Sequence, residues 1–310
     1  MAHAETEPIH GGNAKVGLPR LQSGTSPQHL LLTLLGDYWY GRQEHLPSAA
    51  LVAIAEEFGV SAVGARAALS RLARRGLLES SKIGRRTYYG LTAHAAEVLT
   101  EGAHHIMLFG LRTLPWDGGW TVAAFSLPEE QRDLRHVVRT RLRWLGFAPL
   151  YDGVWVSPRV SADDAEQVLA SLDVTGATVF HTSGGIRGRS PIEAWDLADL
   201  RAAYQDFIAK FGPLLARIRQ GSVGTTDALL ARTSVMDTWR VFPGLDPELP
   251  AEVLPADWPR SRARDVFVEV YDTLGPLAEI RIRQVLAEFA PELADFVRHH
   301  TTRVAAMLDR

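Results

Sequence analysis

The sequence predicts an α+β chain built in three successive parts, and three observations predict it. Residues 60–91 read as a helix, a glycine stop and a short basic hairpin. Residues 116–184 read in the order β-α-β-β-α-β. From Trp195 onward, apolar residues recur at near-3.6 spacing with no strand-like run. The boundaries that follow are 1–25 for a flexible polar tail, 26–112 for a first domain with its connecting helix, 113–184 for a second domain, and 185–310 for an all-α remainder.

The first 25 residues are polar and lack the apolar core of a signal peptide. Ser26 and Pro27 open the ordered chain. Residues 29–41 are too densely apolar for a surface helix and read as a core helix. Ser48 starts a second helix, which Gly59 ends, and Val60 makes the turn into a third. Ser61 is its N-cap, because a serine oxygen can accept from an orphan amide of the first turn. Ala65, Ala68, Leu69 and Leu72 then fall on one stripe, while Val63, Arg66, Ala67, Ser70, Arg71 and Arg74 make a small or basic opposite face. Gly76 stops the helix. Residues 77–79 and 87–89 read as strands flanking a tip of residues 80–86, in which Gly84 supplies backbone freedom and Lys82, Arg85 and Arg86 supply charge. Two helices joined by a short glycine turn and followed by a basic hairpin have the layout of a winged helix-turn-helix. In that layout the second helix enters the major groove of double-stranded DNA and the wing reaches its backbone or minor groove.

Charge points the same way. Residues 61–86 carry seven basic side chains, those named above and Arg75, against the single acid Glu79, a net +6. The whole chain is −3, so the remainder carries about −9. One compact basic patch on an acidic protein is what phosphate binding needs, since each neutralised phosphate releases counterions. The candidate DNA contacts are Ser61, Val63, Arg66, Ala67, Ser70, Arg71, Arg74, Arg75, Lys82, Arg85 and Arg86. Arg66 and Ser70, early on the helix, are assigned to base edges, and Arg74, Arg75 and Arg85 to phosphates.

Thr92 caps a connecting helix that runs to about Leu111. In the second domain, residues 121–127 read as a strand, Pro128 starts a helix through Leu145, Asp152-Gly153 turns a hairpin, 162–172 is helical, and a fourth strand ends near 183. That order is ferredoxin-like. Residues 183–191 are rich in glycine and serine and read as a linker.

Composition bounds the chemistry. At 310 residues, 46% hydrophobic and 22% charged, the chain has room for several domains with ordinary cores. It contains no cysteine, which excludes disulfides and thiolate chemistry and fits a reducing, cytoplasmic setting. There is no run of about 18 apolar residues to span a membrane. His104-His105 and His299-His300 are neighbours that point about 100° apart on a helix, and Glu101 with His105 makes only two ligands, so no metal is expected. No phosphate-binding, nucleophile-elbow or zinc-protease motif occurs, so the reading is not an enzyme and needs no cofactor. Trp144, Trp155, Trp195 and Trp239 are read mostly as core.

Three stretches carry a resemblance to a known family: RAALSRLARRGLLESSKIGRRTYYGLT, RLRWLGFAPLYDGVWVSP and LDPELPAEVLPADWP. Together they resemble the PaaX family of bacterial transcriptional repressors, named for the phenylacetic acid catabolic operon, over roughly residues 26–290. One departure is Arg260, where the third motif has glycine. The resemblance implies a homodimer on a palindromic operator, released by a small effector that is an acyl-CoA, phenylacetyl-CoA in the founding members. Arg187 and Arg189 in the linker, and Arg159 after a central strand, are the candidate contacts for such an anion, in a pocket between the second and third parts. The alternatives are a constitutive architectural DNA-binding protein and, on the central domain's likeness to the ferredoxin-like nucleases of CRISPR systems, a metal-dependent nuclease. The latter needs a carboxylate at the end of the first central strand, where Ser126 and Leu127 stand instead.

Overall fold

The computed structural model describes residues 26–111, 115–184 and 187–303; the tail expected over 1–25 lies outside these. It is a mixed helix-and-sheet chain whose C-terminal third is helical. Its elements are α1 (Pro27–Tyr38), β1 (Leu46–Pro47), α2 (Ser48–Glu57), α3 (Ala62–Arg74), β2 (Leu78–Ile83), β3 (Arg86–Leu91), α4 (Ala93–Leu108), β4 (Trp120–Phe125), α5 (Arg132–Leu145), β5 (Ala148–Tyr151), β6 (Val154–Ser157), α6 (Ala162–Ala170), β7 (Ala177–Thr182), α7 (Leu197–Arg219), α8 (Thr225–Trp239), α9 (Phe242–Leu245), α10 (Arg260–Ala287) and α11 (Pro291–Ala294). The chain forms two compact units, one of residues 1–105, 222–237 and 271–310, the other of 106–221 and 238–270.

In the first unit, Ser26 caps α1 by accepting from the His29 amide at 3.3 Å, and Pro27 needs no amide partner in the first turn. Leu30, Leu31, Leu34 and Leu35 of α1 pack with Leu51 and Ile54 of α2 and with the buried stripe of α3. Leu229 of α8 and Ile282 and Leu286 of α10 join the same core. At its centre the Arg232 guanidinium is fully buried. It donates to the Tyr271 carbonyl at 3.1 Å, the His300 carbonyl at 2.6 Å and Asp37 Oδ2 at 3.2 Å. It also lies 3.8 Å from the Tyr271 ring centre, and the Tyr271 hydroxyl donates to Asp37 Oδ1 at 2.7 Å. Nearby, Arg281 pairs with Glu57, and Glu279 receives the His299 ring and amide at 2.6 and 2.9 Å.

The sheet of this unit runs β1-β3-β2, all antiparallel. The short β1 has no counterpart in the sequence reading, because a two-residue strand carries no periodicity. The hairpin tip is also shorter than the 80–86 expected. Ile83 pairs with Arg86, so only Gly84 and Arg85 turn the chain, and Ser80, Ser81 and Lys82 lie within β2. Gly84 at φ +61°, first of two turn residues, closes the strands with a twist that matches theirs.

In the second unit, the sheet order is β5-β6-β4-β7, every neighbouring pair antiparallel. One face packs Ala123, Phe125 and Trp155 beneath Val138 and Leu142 of α5 and Leu169 of α6. The other carries Trp120, Val122, Leu150 and Val156, with Ile192 and Trp195 packed on them. Trp155 and Trp239 are core, as expected, but Trp144 is 86% exposed and corrects that assignment. It lies on the outward face of α5, opposite Val138 and Leu142. Arg260, the departure from the family motif, holds the buried Asp246 through both carboxylate oxygens at 2.7 and 2.8 Å, with the Tyr204 hydroxyl donating at 2.6 Å.

Candidate nucleic-acid interface

Two glycines shape the entry to and exit from α3. Gly59, at φ +77°, ends α2, with its amide on the Glu56 carbonyl and the Val60 amide on the Ala55 carbonyl. Three residues, Phe58 to Val60, separate α2 from Ser61, whose hydroxyl accepts from the Gly64 amide at 3.2 Å. At the other end Gly76, at φ +70°, bonds the Ala73 carbonyl while Leu77 bonds that of Leu72, a double closure only a left-handed residue permits cheaply. Leu72 and Leu77 are both buried, so the stop also docks the hairpin onto the core.

Between these stops, Ala65, Ala68, Leu69 and Leu72 are fully buried. Ser61, Val63, Arg66, Ser70 and Arg74 are exposed, whereas Ala67, Arg71 and Arg75 are half-buried. Val63 is 76% exposed, a β-branched residue that contributes nothing to the core. Lys82, Arg85 and Arg86 are exposed on the hairpin. The surface of α3 and of the hairpin is therefore cationic, with apolar contact points at Val63 and at Ile83 beside the turn, 66% exposed.

The sequence reading missed the residue that braces the hairpin. His45, just before β1, bonds Ser81 Oγ at 2.8 Å and Glu79 Oε1 at 3.1 Å. Its ring lies so close to Gly90 of β3 that a Cβ there would sit 2.3 Å from it. The readable signal was Gly90 itself, since glycine inside a strand marks close approach of another group. Glu79, the one acid of the patch, is thereby turned toward His45.

The residues expected at an effector lie in the second unit. Arg159 donates to the Glu248 carbonyl at 2.7 Å. Arg189 donates to the carbonyls of Leu150 at 2.6 Å and Glu193 at 3.0 Å, and Arg187 is exposed. The linker is tied down at its end: Ser190 and Glu193 cap each other's backbone in a short turn of residues 191–194. Gly185 and Ile186 lie outside the described residues. A cavity of about 320 Å³ opens beside the linker, lined by Gly118, Trp120, Ser183, Gly184, Gly188, Ser190 and Pro191. Among the described residues no cluster of three or more histidine, aspartate or glutamate side chains is placed to hold a metal, and no helix is long and apolar enough to cross a membrane. The end of β4 carries Ser126 and Leu127, with no carboxylate before Glu129.

Comparison with known proteins agrees in all three parts of the chain. Residues 26–95 match the PaaX-like protein family, 113–193 the PaaX protein central Cas2-like domain, and 195–284 the PaaX-like protein C-terminal domain. The transcriptional repressor PaaX of Escherichia coli (strain K12) is 28% identical over 268 residues, covering 83% of this chain and 82% of its own. An uncharacterized protein from Mycobacterium tuberculosis shares the fold, with a TM-score of 0.54 at 20% identity over 84% of this chain and 98% of that one. With a match in each part and in the same order, the chain belongs to the PaaX family, a family of transcriptional repressors and not of enzymes.

Proposed function

We propose that this chain is a DNA-binding repressor that grips its operator with a winged helix-turn-helix. In this reading α3 is the recognition helix, and the β2–β3 hairpin is the wing. The observation that carries it is the division of α3 into a fully buried alanine–leucine stripe and an exposed face of arginines and small residues, continued by the cationic hairpin. Small side chains at Ala67 and Ser70 let the helix backbone approach the groove floor. Arg66 then reaches base edges while Arg74, Arg75 and Arg85 hold phosphates. The order β5-β6-β4-β7 supports a ferredoxin-like central domain, serving here as a scaffold.

The repressor acts as a homodimer, in the cytoplasm where its operator is, on a palindromic site. It is released by a small anionic effector, an aryl-acyl-CoA such as phenylacetyl-CoA. The cavity beside the linker, walled by Trp120, supports an aromatic group there, and Arg187 a phosphate. Arg159 and Arg189 already bond backbone carbonyls, so they pass the effector's presence to the linker and to Glu248. Effector binding favours a dimer whose recognition helices no longer match the half-site spacing. Fluorescence anisotropy on the upstream region of the chain's own operon, titrated with phenylacetyl-CoA and other acyl-CoA thioesters, tests both parts. No preference over scrambled DNA overturns the DNA reading; undiminished binding across all thioesters overturns the effector.

A further inference from the structure

The first turn of α3 exposes an apolar side chain that the fold does not use. Val60 and Ala62 on either side pack against the core of this unit, but Val63 does not join them and stays 76% exposed. A β-branched side chain loses rotamer freedom in a helix, so an exposed valine there costs stability with no burial to offset it. The helix fixes its direction. At about 100° per residue, Val63 points about 180° away from the centre of the buried stripe of Ala65, Ala68, Leu69 and Leu72. Arg66, Ala67 and Ser70 lie within about 60° of it on the same face. The outermost group of the first turn is therefore an isopropyl group set among arginine, alanine and serine.

We infer that Val63 reads the C5-methyl group of a thymine in the major groove. This rests on the DNA reading above, in which α3 is the recognition helix, and deepens it by naming a base. The cationic surface brings duplex DNA to this face, since residues 61–86 carry a net +6. The first turn holds no carboxylate to keep phosphates away, and the N-terminal residues of a recognition helix are the ones set against base edges. The chemistry of those edges then selects the contact. Every base offers hydrogen-bond donors or acceptors in the major groove, and thymine alone adds an apolar group. An isopropyl group has no donor and no charge, so a phosphate gains nothing from it. Ala67, one turn on and half-buried, extends the apolar strip without blocking the approach. Arg66 and Val63 divide the readout, hydrogen bonds for guanine and apolar contact for thymine.

The test removes the methyl from the DNA and the isopropyl group from the protein, separately and together. The upstream region of the chain's own operon is amplified once with dTTP and once with dUTP, from primers lying outside the footprint of the full-length chain. The uracil form keeps its base pairing and charge and lacks the C5-methyl groups. In gel-shift titrations the parent should bind it about 4-fold more weakly for each half-site, or about 16-fold as a dimer on a palindrome. Val63→Ala should lose about as much on thymine DNA and then hold the two forms equal to within about 2-fold. Its salt slope should match the parent's, because no phosphate contact is lost. Alanine is the better helix former and the site is exposed, so the variant keeps the fold. Both proteins meet the same two DNAs, so any change of groove shape that uracil brings cancels in the cycle. A parent with no preference for this region over scrambled DNA overturns the DNA reading and this inference with it. A parent that prefers the region yet binds both forms alike, or a Val63→Ala that discriminates as strongly as the parent, overturns the thymine contact alone.

Discussion

Replacing Arg232 by methionine removes a buried charge but keeps a side chain of similar reach against the Tyr38 and Tyr271 rings, so the effect is mainly polar. Three acceptors lose a donor: the carbonyls of Tyr271 and His300 and Asp37 Oδ2. The carboxylate keeps only the Tyr271 hydroxyl. Charging each orphaned acceptor at about 1–3 kcal/mol overstates the sum, because waters and relaxation recover part of it. One-sided removal of a buried pair costs about 3–5 kcal/mol, and that is the expected loss at pH 8. Burial already pushes the Asp37 carboxyl above its ordinary value, against the pull of Arg232. Without the arginine it rises further. A carboxyl raised in the folded state favours folding below its unfolded value, and that advantage is lost as pH rises through the folded one. The deficit of Arg232→Met should therefore be smaller at pH 5.5 than at pH 8. Adding Asp37→Asn, which removes the stranded charge and keeps an acceptor for Tyr271, should return about half of the loss at pH 8. The assay is hydrogen exchange of α1 and α8 peptides across a urea series, which reads this unit directly. A loss below about 1 kcal/mol, or no recovery in the double variant, refutes the ionised network.

Arg66→Ala should cost about 1–3 kcal/mol of operator affinity and flatten the preference over scrambled DNA, whereas Arg85→Ala should weaken both DNAs alike and lower the salt slope by about 1; equal weakening by Arg66→Ala would reverse the helix's orientation. Gly90→Ala drives a methyl into the His45 ring, so it should loosen the hairpin and weaken DNA binding, and His45→Ala added to it should restore the fold, as read by exchange of β2 and β3 amides. Burial would raise the Glu279 carboxyl, but the hydrogen bonds from His299 and the Arg283 charge outweigh it and hold it below its ordinary 4.5. A depressed carboxylate stabilises above its unfolded value and loses that as pH falls through the folded one, so the cost of Glu279→Gln should be full at pH 7 and shrink progressively as pH falls below 4.5 in acid-unfolding curves.

Elements written in local pattern were legible. The stripe of α3, its serine cap and its two glycine stops depend on neighbours within four or five residues, and the structure reproduces each of them. The strand order of the central sheet was not readable from spacing, though its βαββαβ succession was. What local pattern hides is the use to which an arginine is put. Arg189 reads as a free cation in a glycine-rich stretch, yet it spends its donors on Leu150 and Glu193, 39 residues before it and four after it. Trp144 errs the other way, as an aromatic on an amphipathic helix that belongs to no core.

Arg232 and Arg260 show why such errors matter for function. Neither announces its role in the sequence, yet each pairs with a buried carboxylate. Asp37 is 195 residues from Arg232 in sequence. It sits in α1, the helix against which α3 packs, so the cationic surface of α3 stands on a core completed by α8, α10 and the Tyr271 and His300 carbonyls. A reader of the first hundred residues sees a DNA-binding module that could be cut free. The buried Asp37 argues that it cannot: severed before residue 222, the module would keep its arginines and its glycine stops but strand a carboxylate in α1, the helix that α3 packs against.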